Sequence, residues 1–375
     1  MSYNRRALKT KKTDLNRPLR IQTKIFMSRP CSIKVSYLPR CSSPTWLVIS
    51  RDSKLSRFCM AAGADTITGS YSASHDAISS INDPSFQLVL FSARCLICLK
   101  KPGEAIKLLK QHHDSEPAAR ALTLLAKFYQ DSPSSKAEID KFGEAAEALI
   151  EEIADEENDG PDSVLRVTLA TILTLAENLS LAIFILKQGV QLKSLEAVAA
   201  LISLYLSPRL RRPDLARSLY TSAKAWADDA ILLQMAEAWI GATTGSAAGN
   251  SNGREPGGYQ SAFYVFDEVT NTAVTKPNQV NVVGLNGKAI TQLAMGHVEE
   301  AQANLTEALK ADPENENTLA NSIVISARLE SPPSEIATSI QKLKTLNPKH
   351  PLIVDLDRQS ALFDEAASQF VASTA

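Results

Sequence analysis

Two cysteines three residues apart, Cys95 and Cys98, are the first candidates for chemistry in this chain. A CxxC that works as a redox couple sits at a helix N-terminus just after a strand, where the thiol pKa is lowered. Here the pair falls late in an apolar run from Phe86 to Leu99, so both sulfurs are expected on a buried helix face. A zinc site would need two further ligands, and the adjacent His112 and His113 do not have ligand spacing. His75, His297 and His350 stand near turns, with no HExxH, no Gly-x-Ser-x-Gly and no ordered nucleophile, histidine and acid. The one glycine-rich run, residues 241–258, has neither a strand before it nor a Gly-Lys-Ser/Thr, so no phosphate loop is expected. These residues predict a protein that binds rather than catalyses, with no cofactor, no metal and no small-molecule substrate. A thiol-redox enzyme would require a strongly depressed pKa at Cys95 or Cys98.

Charge divides the chain into two chemically different parts. The 375 residues carry a net charge of -1, but residues 1–60 hold 14 Lys/Arg against Asp14 and Asp52 alone, a balance of +12, which leaves -13 for the rest. The first part has no sustained apolar period and contains Pro18, Pro30, Pro39 and Pro44, so residues 1–69 read as a disordered basic leader. Met60 is the favoured start of the folded frame. A mitochondrial targeting segment and a basic patch for nucleic acid or lipid are the alternatives. In the acidic part, Glu144 to Asp159 places eight acids in sixteen positions beside apolar Ala145, Ala148, Leu149 and Ile153, which reads as a solvated helix face. Trp226 and Trp239 fall on apolar faces and are expected in the core. No stretch approaches 18 uninterrupted apolar residues, so no membrane span is predicted.

The elements that must position a binding surface are helices throughout. Glycine is scarce, at 15 of 375 residues, and strand-like alternation is missing. From Pro84 onward apolar residues recur at three and four, predicting the pairs 86–99 with 104–111, 117–129 with 137–153, 163–176 with 181–191, and 195–206 with 214–226. Helices over 229–240 and 259–269 follow, separated by a solvated loop at 241–258. Pro277, Pro313 and Pro348 are spaced by 36 and 35 residues, close to the period of tetratricopeptide helix pairs.

The best copy runs from Val282 to about Asn315. Leu285 takes its large apolar place, Ala289 and Ala301 the small places where two helices cross, Gly296 the turn, Leu305 and Ala308 the second helix, and Pro313 its exit. A further repeat follows with Leu319, Ile323, Ser326, Ile336 and Ile340, and Leu352 to Phe370 closes the stack. The predicted fold is all-α: a right-handed solenoid of tetratricopeptide-like helix-turn-helix repeats over 70–375, with a C-terminal capping helix. Such a stack presents a groove lined by the first helix of each pair. In the two clearest repeats the predicted lining is Asn286, Ile290 and Leu293, then Asn317, Ala320 and Val324.

Several linked strings carry a family resemblance beyond the repeat pattern. They are Arg212-Pro213-Asp214-Leu215-Ala216-Arg217, Asp228-Asp229-Ala230, Gln234 to Trp239, Tyr259 to Glu268, Leu285 to Ala289, Pro332-Pro333-Glu335, His350-Pro351 and Asp364 to Phe370. Together they resemble the epsilon subunit of coatomer, the COPI vesicle coat, strongly over 205–375 and diffusely over 70–205. The resemblance implies a non-catalytic coat component whose repeats curl around the C-terminal domain of the coatomer alpha subunit. It also implies other coatomer subunits as partners, a cytoplasmic complex peripheral on Golgi membrane, and Golgi-to-ER retrograde and intra-Golgi transport. The rival binding role is a repeat cochaperone or adaptor holding acidic peptide tails. That role needs a basic clamp, whereas Asn286, Ile290, Asn317 and Val324 are uncharged.

Overall fold

The computed structural model describes residues 71–155, 163–227, 230–245, 258–272 and 280–368. Sixteen α-helices and no strands occur among them. They are α1 (Tyr71–Ser79), α2 (Phe86–Cys98), α3 (Pro102–Leu109), α4 (Pro117–Asp131), α5 (Lys136–Asp155), α6 (Ser163–Leu175), α7 (Leu179–Gln191) and α8 (Leu195–Leu206). Then follow α9 (Pro213–Ala227), α10 (Ile231–Thr244), α11 (Tyr259–Thr272), α12 (Val282–Met295), α13 (Val298–Ala311), α14 (Glu316–Arg328), α15 (Pro333–Leu346) and α16 (Pro351–Ser368).

Local chemistry sets the boundaries of these helices. Side-chain oxygens of Asn178, Ser194, Asn281 and Asn315 accept the backbone N–H three residues on, capping α7, α8, α12 and α14. Proline opens α3, α4 and α15, where its missing N–H costs no helical hydrogen bond. The turn between the helices of a pair passes through the left-handed region. Gly296 does so at φ 92°, but Lys100, Ser132, Glu177, Arg211 and Glu330 take the same place with side chains attached. Glycine scarcity is thus partly met by strained turns.

Packing converts the pairs into two layers. Each even helix from α2 to α12 touches the even helix of the next pair, while the odd helices pack on their sequence neighbours. The even layer is the more deeply buried: eight residues of α8 and eight of α10 are inside, against three of α9 and three of α13. This is a helical-repeat solenoid of seven pairs, α2–α3 to α14–α15, with α1 before it and α16 after it. In the sixth pair Ala289, Ala301, Leu305 and Ala308 are fully interior, Pro313 is exposed, and Gly296 has open space where a Cβ would stand. A closer approach occurs at Gly287, where an added Cβ would lie 2.2 Å from the Phe266 ring, so α11 and α12 pack through a missing side chain.

One expectation about the elements changes, and one helix is added ahead of those predicted. Helix α10 runs four residues into the stretch expected to be a loop, because Gly241 and Ala242 are small enough to be buried there and Ala242 packs on α11. Thr243 and Thr244 continue it by bonding back to the carbonyls of Trp239 and Ile240. Helix α1 is a full packed helix, its Ile78 sharing a small core with Leu88. The basic leader, residues 246–257 of the predicted loop, Glu156 to Asp159 of the acidic run, and Phe370 lie outside the described residues.

Candidate binding surface

The predicted lining residues separate into two sets. Asn286 is 3% exposed, Ile290 is 7% exposed and Ala320 is fully buried, so these three pack repeat on repeat instead of facing a groove. The physical reason is that an even helix has buried faces toward its own partner and toward the next repeat. A helical period of apolar residues does not distinguish these from the narrower strip between them. Leu293, Asn317 and Val324 are half-buried and keep accessible surface on the same two helices.

Asn286 belongs to a buried amide ladder. Its Nδ2 donates to Thr318 Oγ1 at 2.8 Å and to the Val282 carbonyl at 2.8 Å, and its Oδ1 accepts from Asn321 Nδ2 at 2.9 Å. Helices α12 and α14 are therefore joined by polar groups that satisfy one another away from water.

Charged side chains that sequence reasoning did not pair join distant repeats. Arg94, on α2 of the first pair, reaches Glu196, on α8 of the fourth, with Nη2 3.2 Å from Oε2 and Nη1 3.5 Å from Oε1. Their side chains are 5% and 1% exposed, so the contact is dry. A signal was present in the sequence: each is a lone charge inside an otherwise apolar helix run. Lys100 Nζ lies 2.8 Å from Glu316 Oε1, joining the first pair to the seventh. Lys349 Nζ donates to Ser134 Oγ at 3.2 Å and to the Pro133 carbonyl at 3.4 Å. Partial burial pushes the Glu316 carboxyl up, but hydrogen bonds from Lys100 and Asn347 and the charges of Lys100 and His350 outweigh it, leaving it below its ordinary value. The repeats curve far enough for their two ends to meet.

The remaining chemical candidates take structural places. Cys95 is buried and Cys98 half-buried near the C-terminal end of α2. His75 Nδ1 lies 2.7 Å from Ser92 Oγ, joining α1 to α2. His350 Nδ1 accepts the Leu352 N–H at the start of α16. Trp226 is 37% exposed on α9, not interior as expected, because its end of the helix lies beyond the last buried position, Ala223. Trp239 packs against the core. Among the described residues no group of three His, Cys, Asp or Glu could hold a metal, and no helix is long and apolar enough to cross a membrane.

Fold and surface together define a helical-repeat scaffold whose even helices keep an accessible strip between their buried faces. Residues 67–371 match the family model of the coatomer epsilon subunit. The chain belongs to the coatomer epsilon subunit family. The coatomer subunit epsilon of Dictyostelium discoideum is 31% identical over 177 residues, which cover 47% of this chain and 53% of that protein. The probable coatomer subunit epsilon of Schizosaccharomyces pombe is 28% identical over 245 residues, covering 65% and 77%. Among solved structures, a tetratricopeptide repeat protein from Parabacteroides merdae is similar at 12% identity and a TM-score of 0.47, over 72% of this chain and 95% of that one.

Proposed function

We propose that this chain is a non-catalytic structural subunit of the COPI coatomer that binds and stabilises the C-terminal domain of the alpha subunit. The observation that carries this reading is the stack of seven helix pairs with one continuous inner layer, lying within the stretch that matches the family. A curved helical layer offers a large area to one partner and mounts no reacting groups. Leu293, Asn317 and Val324 are the accessible lining in the sixth and seventh pairs. In this reading the protein acts in Golgi-to-ER retrograde and intra-Golgi transport, in a cytoplasmic complex held at the Golgi membrane by other coatomer subunits.

The test is co-purification of the full chain with the C-terminal domain of an alpha subunit, followed by gel filtration with mass determination. A 1:1 complex that survives the column is expected, and Leu293→Asp with Val324→Asp should weaken it. Failure to associate while the chain stays helical would overturn the reading. Salt-sensitive capture of an acidic tail peptide instead would favour the cochaperone role.

A further inference from the structure

Three contacts jump across the stack, and they differ in kind. Arg94–Glu196 is dry, and breaking it would leave one charge buried without the other, so it ties the first pair firmly to the fourth. Lys100–Glu316 is wet, with side chains 77% and 23% exposed, and Lys349 on Ser134 is likewise at the surface. Exposed polar contacts contribute little each and are screened by salt. The apolar core divides in the same way. Among the described residues one cluster runs unbroken from Val89 on α2 to Ile240 on α10. Beyond it the core falls into separate pieces: one on α10 and α11, one on α12 to α14 with Ala289, Ala301 and Ile325, and one centred on Leu343 that joins α14, α15 and α16.

We propose that Lys100, Glu316, Asn347, Lys349 and Ser134 form a surface clasp that closes the ring of repeats and opens by a swing of α11–α16 against the α2–α10 block. The clasp admits a partner sideways to the inner layer, so the gating role rests on the groove-binding reading above. Glu316 is its centre, because it accepts from Lys100 on the first pair and, at 2.8 Å, from Asn347 Nδ2 ahead of α16. The left-handed backbone at Lys100 turns that residue out at the edge of its pair, and Lys349 repeats the contact one pair further along. A joint of this strength holds the ring shut and still opens thermally, whereas the Arg94–Glu196 tie does not.

The experiment uses the full chain with two genetically encoded spin labels that spare the native cysteines, one at Lys107 on α3 and one at Gln341 on α15. Distances are read by double electron–electron resonance at 50 mM and 1 M NaCl. A short population at low salt is expected to give way to longer distances at high salt. Lys100→Glu should raise the open fraction about five-fold at low salt, the upper range for a surface pair, and Lys100→Glu with Glu316→Lys should restore the short distance. One distance, the same at both salts and in every variant, would overturn the clasp. In a second arm, stopped-flow binding of the alpha C-terminal domain should be about five-fold faster in both directions for Lys100→Glu. Unchanged rates beside changed distances would overturn the gating role. If the wild-type chain binds no alpha domain at all, the partner reading fails alone, and the distances still decide the clasp.

Discussion

Pairs one to five and pairs six and seven use the same helix-turn-helix unit, yet they are joined differently. In the first region the even helices share one apolar core, with Leu122, Ile172, Leu173 and Ile202 wholly inside it. In the second, α12 meets α14 through the Asn286, Thr318 and Asn321 ladder, and the apolar residues collect in small separate clusters. Apolar contact is additive and non-directional, so neighbouring pairs fuse into one block. An amide ladder is directional: it specifies how two helices meet and adds little net stability once both ends could be solvated instead. On the clasp reading, one architecture thus yields a stiff half and an articulated half.

The largest expected effect tests what makes the stiff half stiff. Arg94→Met takes the guanidinium away from a carboxylate held in a dry site and should cost about 3–5 kcal/mol of unfolding free energy. Arg94→Met with Glu196→Leu should recover most of that loss, as read by denaturant melts. If the single variant melts like wild type, the tie across the first four pairs does not operate in solution.

Next come two buried truncations of similar chemistry in the two regions. Ile202→Ala and Leu343→Ala each remove a fully buried aliphatic side chain and should cost about 2–5 kcal/mol. They should differ in reach. Hydrogen exchange should speed up across α2 to α10 for Ile202→Ala but only across α14 to α16 for Leu343→Ala. Equal spread would erase the distinction between a fused core and separate ones. Asn286→Ala sharpens the same point at about 1–3 kcal/mol, because it removes the buried amide that Thr318 and Asn321 share. Its exchange effect should stay within α12 to α14.

What the sequence reveals follows the range of each physical signal. Helix pairs are legible because capping, proline and apolar period act within a few residues, and the predicted 195–206 helix matches α8 residue for residue. A groove position does not hold for Asn286, Ile290 and Ala320, because period locates a buried face without naming its neighbour. Contacts between residues 94 and 196, or 100 and 316, arise from small rotations summed over several repeats, and no local pattern carries that sum. Gly287 is legible as part of a family string but not as the contact point for Phe266, because the partner ring sits on another helix.

Turn strain gives a smaller effect, and the second region offers a matched pair of turns to test it. Gly296 and Glu330 hold the same left-handed turn place in the sixth and seventh pairs, at φ 92° and 54°. Gly296→Ala should cost about 1–2 kcal/mol from backbone strain alone, since nothing stands near the added methyl. Glu330→Gly should relieve strain of the same origin and raise the melting midpoint. A gain at 330 without a loss at 296 would show that these turns are held by their surroundings instead of by φ.

The smallest expected effect is a pH dependence, and its sign follows from Arg212. The guanidinium forks onto Asp214 at the start of α9, with Nε 2.9 Å from Oδ1 and Nη2 2.7 Å from Oδ2, and lowers the carboxyl to about 2. A carboxyl whose folded pKa lies below its unfolded value of about 3.9 adds stability above that value, and the contribution is lost as pH falls toward 2. Glu316 is shifted in the same direction, so acid acts on the stiff block through Asp214 and on the clasp through Glu316. Asp214→Asn should flatten the wild-type decline in melting midpoint between pH 4 and 2 while leaving the Lys107–Gln341 distance alone. Glu316→Gln should do the reverse, lengthening that distance at neutral pH and hardly moving the midpoint. Should both variants change both readouts, the block and the clasp titrate as one unit, and the two halves of the ring are mechanically continuous.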